Sequence, residues 1–210
     1  MLRSACCAGL RVARAGNGAA AARFLSGKPN SPEYVFHFGG GLFPTADLCD
    51  KAGLDVSKVP TSTVSVVDPA LNFRNFGGKT GFSGKVCTIK AFESNPLVRT
   101  LFESPGEGRV LVVDAGGSMR CAMLGDNIAE AGVKNGWAGI VIYGCIRDSA
   151  VISKMDIGVK ALNTHPVKSH KNDPGLQDVP VRFGGVTIKP GQFLYADADG
   201  IVVSDNKLSV

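Results

Sequence analysis

The pattern of apolar positions predicts a β-α-β unit in the middle of the chain. Residues 109–114 (RVLVVD) and 139–143 (GIVIY) are almost continuously apolar and β-branched, which is typical of strands buried on both faces. Residues 126–135 between them have helical spacing and are followed by Gly136, a residue suited to the position after a helix. We therefore expect two parallel strands joined by this helix.

Shorter patterns predict the elements on either side of this unit. A helix is expected to begin at Thr45, with the Thr45 hydroxyl as its cap, and a second helix is expected over 96–103 after a strand over 82–92. After residue 159, short β-type runs alternate with Gly and Pro turn signals, which indicates hairpins or a small barrel-like sheet. A strand is also predicted over 64–67, and the strands predicted after residue 159 cover 160–167, 179–183, 186–188, 193–196 and 200–203.

The composition fits one globular domain preceded by a tail. The chain has 210 residues, of which 44% are hydrophobic and 20% are charged, and this is enough for one core. No run approaches 18 uninterrupted apolar residues, so we expect no membrane span. We assign residues 45–210 to the domain and residues 33–44, which contain glycines and prolines, to a linker.

The charge of the chain is concentrated in its first 32 residues. This segment is rich in Ala and has five basic and no acidic residues, a composition typical of a mitochondrial presequence; a disordered tail is the alternative. The whole chain has 23 basic and 18 acidic residues, so the part after residue 32 has 18 of each. We expect a mitochondrial location, or otherwise a cytoplasmic one, and the balanced body makes nucleic-acid binding unlikely to be its function.

The cysteines and histidines have no spacing that indicates a metal or disulfide site. The six cysteines include no CxxC motif, and the three histidines include no HxH or HxxxH motif. We therefore expect reduced and mostly buried thiols.

Asp126 precedes the pair Arg147-Asp148 by a spacer of twenty residues, and both parts of this D-x20-R-D motif lie at predicted element ends. Asp126 is expected to be the N-cap of a helix, where backbone amides attract an anion. Arg147 can grip a carboxylate with two hydrogen bonds, and Asp148 can bind Mg²⁺. Separately, these features are commonly a helix cap and a surface ion pair. At neighbouring strand ends, they predict metal-assisted chemistry on a small acidic substrate.

Four segments of the chain resemble the RraA-like family, which contains the regulator of ribonuclease activity A and the 4-hydroxy-4-methyl-2-oxoglutarate aldolases. The segments are TADLCD (45–50), NFGGKTGFSGKVCTIKAFE (75–93), GRVLVVDAGGSMRCAMLGDNIAEAGVKNGWAGIVIYGCIRD (108–148) and FGGVTIKPGQFLYADADGIVVS (183–204). The resemblance implies an α/β fold, an α/β/β sandwich with a swivelling β/β/α-like core in a single domain. It also implies a homotrimer or a dimer of trimers.

The resemblance further implies roles for the residues of the motif. Arg147 would bind and polarise a small 2-keto acid, and Asp148 would hold a divalent metal, Mg²⁺ first and Mn²⁺ second. Asp126 is the candidate for proton transfer. The carboxylate of the 2-keto acid would be held by four consecutive residues: Gly125, Asp126, Asn127 and Ile128.

The reaction implied by the resemblance is pyruvate formation. It would proceed by retro-aldol cleavage of 4-hydroxy-4-methyl-2-oxoglutarate-type substrates, by decarboxylation of oxaloacetate, or by both. The family's aldolases resemble longer chains in which a C-terminal glutamate serves a neighbouring subunit. This sequence ends at Val210, which favours decarboxylation or a different substrate.

The family also leaves a noncatalytic function open, a regulator that binds a ribonuclease or a helicase. The regulators resemble chains without an acid at the position of Asp148, so its presence favours the lyase. Some family members have been called menaquinone methyltransferases. The chain has no glycine-rich loop with a downstream acid for an adenosyl ribose, so we do not expect that activity.

Overall fold

The computed structural model describes residues 44–57 and 63–208. The predicted targeting segment 1–32 and residues 33–43 of the predicted linker lie outside the described residues. The helices are α1 (Thr45–Lys51), α2 (Pro96–Phe102), α3 (Asp126–Lys134) and α4 (Ser149–Ile152), and a 3₁₀ turn covers Pro69–Leu71. The strands are β1 (Val64–Val66), β2 (Arg74–Asn75), β3 (Phe82–Lys90), β4 (Val110–Asp114), β5 (Ala122–Leu124), β6 (Gly139–Ile146), β7 (Gly158–Thr164), β8 (Leu176–Gln177), β9 (Val181–Phe183), β10 (Val186–Ile188), β11 (Phe193–Ala196) and β12 (Ile201–Ser204).

A mixed sheet organises the described part of the chain around four parallel strands. Its order is β1-β12-β11-β3-β4-β6-β7-β2, with β5 beside β6 and β8 beside β3. Neighbours among β3, β4, β6 and β7 are parallel, and Val112 of β4 lies between Thr88 and Val141 in the register. The predicted β-α-β unit is confirmed as β4, α3 and β6. The carboxyl ends of these parallel strands share one edge of the sheet, and the motif residues lie there.

Alternate residues of the central strands pack against two different layers. Leu111 and Val113 of β4 belong to a buried cluster with Phe102 of α2 and Ile128 of α3. The next residues in alternation, Val110 and Val112, belong to a second cluster that includes hairpin β9–β10 and strands β11 and β12. Side chains alternate between the faces of a strand, so both faces of the central sheet are buried. The result is the predicted single-domain α/β/β arrangement.

Helix α1 begins at Thr45 as predicted, but the Thr45 side chain does not cap it. Pro44 occupies the N-cap position. The Thr45 amide and hydroxyl donate hydrogen bonds to the two carboxylate oxygens of Asp197 at 2.7 and 2.8 Å. Asp197 also accepts from the amides of Asp199 and Gly200, so the same carboxylate joins α1 to the β11–β12 turn. A contact across 152 residues gives no local signal in the sequence.

The prediction of hairpins in the strand-rich final third is confirmed. Several short elements elsewhere in the fold were not predicted. Strands β9 and β10 pair antiparallel, as do β11 and β12. The strand predicted over 160–167 ends at Thr164. Four elements of two to four residues, β2, β5, β8 and α4, are too short to show a period in the sequence. Within the described ranges, no helix is long and apolar enough to cross a membrane.

Candidate functional site

Gly125 is the N-cap of helix α3, and this corrects the prediction that Asp126 holds that position. Gly125 is the N-cap, with φ −130° and ψ 177°, and its carbonyl accepts from the amide of Ala129 at 3.0 Å. Asp126 is the first helical residue, and its Oδ1 accepts from the amide of Asn127 at 2.7 Å. An N-cap residue has non-helical dihedrals, and Gly125 has them whereas Asp126 is already in the helix. The N-cap therefore lies one residue before the predicted position.

The second half of the motif follows β6. The amide of Arg147 donates to the carbonyl of Leu124 at 2.9 Å, which ties it to the segment before α3. The backbone of Asp148 is in the left-handed region, with φ 56° and ψ 32°. Its carbonyl accepts hydrogen bonds from the amides of Val151 and Ile152 in α4. A non-glycine residue in this conformation costs about 1–3 kcal/mol, although Asp tolerates it better than most. The backbone is therefore strained at a residue of the motif.

The tertiary structure brings the two halves of the motif into contact. Oδ2 of Asp148 accepts from the amide of Asp126 at 3.3 Å and lies 3.3 Å from Nε of Arg147. The carboxylate therefore lies between the positive end of a helix and a guanidinium. The side chains of Arg147 and Asp148 are 37% and 35% exposed, so this ion pair adds little stability but remains open to a ligand.

Gly125 allows the side chains of Asp148 and Arg147 to approach the start of the helix closely. A Cβ at this position would lie 2.8 Å from Oδ2 of Asp148 and 3.0 Å from Nε of Arg147. The extended dihedrals of Gly125 are open to any residue, so only the close approach excludes a side chain. A glycine here lets the guanidinium and carboxylate lie directly against the helix start.

A cavity of about 220 Å³ opens in front of the α3 N-terminus. Five of the six residues predicted from the motif line it: Gly125, Asp126, Asn127, Ile128 and Arg147. Asp148 is the exception, because it does not line the cavity itself. It contacts two residues that do, Arg147 and the amide of Asp126. The cavity is also lined by residues that sequence reasoning missed: Asn95, Arg99, Ala122, Lys168, Ser169 and Lys171.

The charges around the cavity favour an anionic ligand. Its lining has four cations, Arg99, Arg147, Lys168 and Lys171, and one carboxylate, Asp126. Arg99 also pairs with Glu103 at 3.3 Å on the surface of α2. Lysines at 168 and 171 follow a strand, but surface lysines are common, so the sequence alone does not mark them as site residues. The excess of positive charge suits a ligand with more than one negative group.

Ser169 has an unsatisfied hydroxyl in the wall of this cavity. The residue is 4% exposed, and its Oγ is the only buried side-chain polar atom without a hydrogen-bond partner among the described residues. Its amide donates to the carbonyl of Ala122 at 3.2 Å, which fixes the backbone. A buried polar group left unpaired costs about 1–3 kcal/mol. The unpaired hydroxyl is therefore a candidate hydrogen-bond partner for a polar ligand in the cavity.

The carboxylates of this site are few, and the thiols are not part of it. No three residues of the types His, Cys, Asp and Glu cluster as a metal site in the ranges 44–57 and 63–208. The four described cysteines are free, and Cys87, Cys121 and Cys145 are buried, as expected for structural thiols. Burial raises the pKa of each of these three thiols, so they are poor metal ligands at neutral pH.

Fold and site together define a mixed α/β protein with a cavity lined mostly by cations among its charged residues, at the carboxyl ends of parallel strands. A family model described as "RraA-like: Aldolase/RraA" matches residues 45–203. The chain belongs to the RraA-like family. A protein of Aromatoleum aromaticum with the provisional name 4-hydroxy-4-methyl-2-oxoglutarate aldolase is 54% identical over 166 residues. The match covers 79% of this chain and 98% of that relative.

Solved structures of relatives share the fold, and two of them are similar to this chain in sequence as well. One is described as an S-adenosylmethionine:2-dimethylmenaquinone methyltransferase from Geobacillus kaustophilus. It is 47% identical to this chain, with a TM-score of 0.73, and the match covers 79% of this chain and 97% of that chain. The other is the RNA-processing inhibitor RraA from Thermus thermophilis, which is 39% identical with a TM-score of 0.72 and covers 80% and 95%. These relatives have three different functional descriptions, so the fold alone does not choose among them.

Proposed function

We propose that this protein is a divalent-metal-dependent lyase that releases pyruvate from small dicarboxylic 2-keto acids. The substrates would be 4-hydroxy-4-methyl-2-oxoglutarate-type compounds, oxaloacetate, or both. The observation that carries the proposal is the contact of Asp148 with both Arg147 and the Asp126 amide beside a cationic cavity. The name of the relative from Aromatoleum aromaticum supports the aldolase reaction.

The α3 N-terminus and Arg147 would bind the keto-acid end of the substrate. Backbone amides at a helix start attract carboxylates, and the Asp148 carboxylate already accepts from the Asp126 amide. The Arg147 guanidinium can donate two parallel hydrogen bonds. Lys168 and Lys171 would meet the second carboxylate, which both proposed substrates possess.

Asp148 would hold the divalent cation, with Mg²⁺ as the first choice and Mn²⁺ as the second. Mg²⁺ binds through one or two carboxylates and keeps several water ligands, so the single carboxylate of Asp148 fits it. When bound, the cation supplies Lewis-acid stabilisation of negative charge on the keto oxygen.

Arg147 and Asp126 would perform the steps that the chain itself contributes. As the C–C bond of the substrate breaks, its electrons move toward the keto group, and the Arg147 guanidinium stabilises the negative charge there. In retro-aldol cleavage, Asp126 would take the proton of the 4-hydroxyl group, directly or through water. Decarboxylation needs no such base, because CO₂ leaves without a proton. Protonation at C3 then gives pyruvate in both reactions.

The assembly and location of the protein are part of the proposal. We propose a homotrimer or a dimer of trimers, in which exposed apolar side chains such as Phe92, Met119 and Leu176, at 57%, 47% and 58% exposure, would be buried between subunits. Sedimentation of the purified protein tests this. The acid-free composition of residues 1–32 supports a mitochondrial location, which expression with a fluorescent tag, with and without this segment, would test.

The second candidate function is a noncatalytic regulator that binds a ribonuclease or a helicase. The similarity to the RNA-processing inhibitor from Thermus thermophilis favours it. The two functions differ in their need for the Asp148 carboxylate, because a docking surface does not require a metal ligand.

Pyruvate release from oxaloacetate and from 4-hydroxy-4-methyl-2-oxoglutarate tests the proposal. We expect release with Mg²⁺, loss with EDTA, and loss in Asp148→Ala. The matched control is Asp156→Ala, because Asp156 is an acid whose side chain is 81% exposed and pairs with Lys79. Release that survives EDTA and Asp148→Ala would disprove the lyase. Absence of release from both substrates would favour the regulator, and binding to RNA-processing enzymes would then be measured.

A further inference from the structure

Lys160 lies buried in the sheet, far from the motif. It is the third residue of β7 and is 2% exposed. Its neighbours Val159 and Ala161 belong to the helix-side core, so alternation directs Lys160 to the opposite face, which the β layer covers. In the register it lies beside Val141, and Arg147 is six positions further along the chain than Val141, a distance of about 20 Å at roughly 3.3 Å per residue.

The amine of Lys160 has no hydrogen-bond or ion-pair partner within the ranges 44–57 and 63–208. Among the described residues it makes no hydrogen bond and no ion pair within 4 Å, and it is not one of the fully enclosed unpaired atoms. Its remaining exposure is therefore to the cavity that it lines. A buried ammonium without a partner is unfavourable, and an apolar side chain of similar length would avoid that cost. Fold stability alone does not explain an amine at this position.

The cavity beside Lys160 has about 250 Å³ of space. Val67, Phe73 and Ile201 form apolar walls, and the exposed Asp68 and Asp199 contribute carboxylates at its mouth. It shares no lining residue with the cavity at the α3 N-terminus. The two carboxylates at the mouth disfavour anions, so this cavity differs in ligand preference from the cationic one.

We propose that the Lys160 cavity is a second site, in which the amine captures a small uncharged aldehyde or ketone as an imine. The apolar walls suit the carbon skeleton of such a compound, and the volume limits it to a few heavy atoms. The proposal does not depend on the lyase activity, because it uses a different cavity.

The electrostatics of the cavity support a nucleophilic amine. Burial lowers the pKa of Lys160, and the carboxylates of Asp197 and Asp199 act in the opposite direction without reversing the shift. A lysine with a lowered pKa has more of the neutral amine at neutral pH than a surface lysine has. Neutral amine is the form that attacks a carbonyl group.

The step is balanced without any further reactant. The nitrogen lone pair of neutral Lys160 attacks the carbonyl carbon, and the C=O π electrons move to oxygen. Proton transfer from nitrogen to oxygen gives a carbinolamine, and its hydroxyl leaves as water when a second proton is delivered. The nitrogen then loses its remaining proton, so amine and carbonyl compound become imine and one molecule of water.

Reductive labelling of the full-length protein tests the proposal. The native protein is treated near neutral pH with propionaldehyde and cyanoborohydride, which reduces an imine to a stable alkylamine, and each lysine is quantified by peptide mass spectrometry. Lys134, whose side chain is 68% exposed and pairs with Glu130, is the internal control. We expect Lys160 to be labelled several-fold faster than Lys134 in native protein and at the same rate in urea. Equal or slower labelling of Lys160 in native protein, including protection by a second subunit, would overturn the proposal.

Asp199→Asn provides a second test that does not remove the amine. The Asp199 carboxylate raises the pKa of Lys160, so its neutralisation is expected to speed labelling of Lys160 and shift the pH profile of labelling to lower pH. Labelling of Lys134 serves as the reference in the same sample. A profile for Lys160 that matches that of Lys134 in both proteins would contradict the proposal.

Discussion

The carboxylate of Asp148 accepts a hydrogen bond from the backbone amide of Asp126 at 3.3 Å, across 22 residues of sequence. The parallel pairing of β5 and β6 makes this contact, because Asp126 follows the end of one strand and Asp148 follows the end of the other. The amide of Arg147 bonds to the carbonyl of Leu124 and holds the two strand ends together. The twenty residues between Asp126 and Arg147 therefore correspond to helix α3 and strand β6, which connect two adjacent strand ends.

Gly125→Ala is expected to abolish most pyruvate release while the protein remains folded. The added Cβ would lie 2.8 Å from Oδ2 of Asp148 and 3.0 Å from Nε of Arg147, so both side chains must move. Gly200→Ala is the matched control, because a Cβ there meets nothing within 4 Å. Circular dichroism and steady-state pyruvate release are measured for both variants. Full activity in Gly125→Ala would show that the close approach of the three residues is not needed.

Arg147→Lys is expected to raise KM for oxaloacetate by about ten- to a hundredfold. Lysine keeps the charge but loses the two-pronged geometry, and a hydrogen bond to a charged group contributes about 1.5–3 kcal/mol. Arg74→Lys is the control, since Arg74 is exposed and contacts Asn163 instead of the cavity. Steady-state kinetics for both variants give the comparison, and an unchanged KM in Arg147→Lys would argue against direct substrate binding by this residue.

Ser169→Ala is expected to affect stability and ligand binding in opposite directions. The Oγ of Ser169 is buried without a partner, so its removal is expected to stabilise the free protein by about 1 kcal/mol. If the cavity holds the substrate, the same change removes a hydrogen bond and weakens pyruvate binding. Urea unfolding and calorimetric titration with pyruvate measure the two effects. Ser153→Ala, at an exposed serine after α4, is the control. Unchanged pyruvate affinity in Ser169→Ala would exclude a contact with the hydroxyl.

Lys160→Met is expected to stabilise the protein most at neutral pH and less in alkaline solution. The folded-state pKa of Lys160 is lowered from the ordinary value of 10.5, so the unfolded chain binds more protons between the two pKa values. The contribution of Lys160 therefore becomes less unfavourable as pH rises through this window, up to the ordinary value. Urea unfolding at several pH values gives the difference between Lys160→Met and wild type. Lys134→Met, at an exposed lysine, is expected to show no such trend, and a constant difference for Lys160→Met would contradict the lowered pKa.

The local features of the sequence were sufficient for the main elements and for most of the motif. Residues 109–114 and 139–143 are mostly apolar because both faces of β4 and β6 are buried. Buried strands can therefore be predicted there without knowing which strands lie beside them. The helix between them was placed to within one residue at each end. Its cap was misplaced by one residue, because a glycine and an aspartate both suit that position.

The sequence by itself determined the family, the order of the central elements and the candidate roles of Asp126, Arg147 and Asp148, because runs and motifs are local properties of the chain. Only the tertiary structure decided that Lys168, Ser169 and Lys171 share a cavity with Arg147, and that Lys160 lies beside a different one. These groupings arise from the pairing of strands that are distant in sequence. Lysine and serine are common residue types, so a functional role can be assigned to them only from their burial, their missing hydrogen-bond partners and the charges around them in the fold.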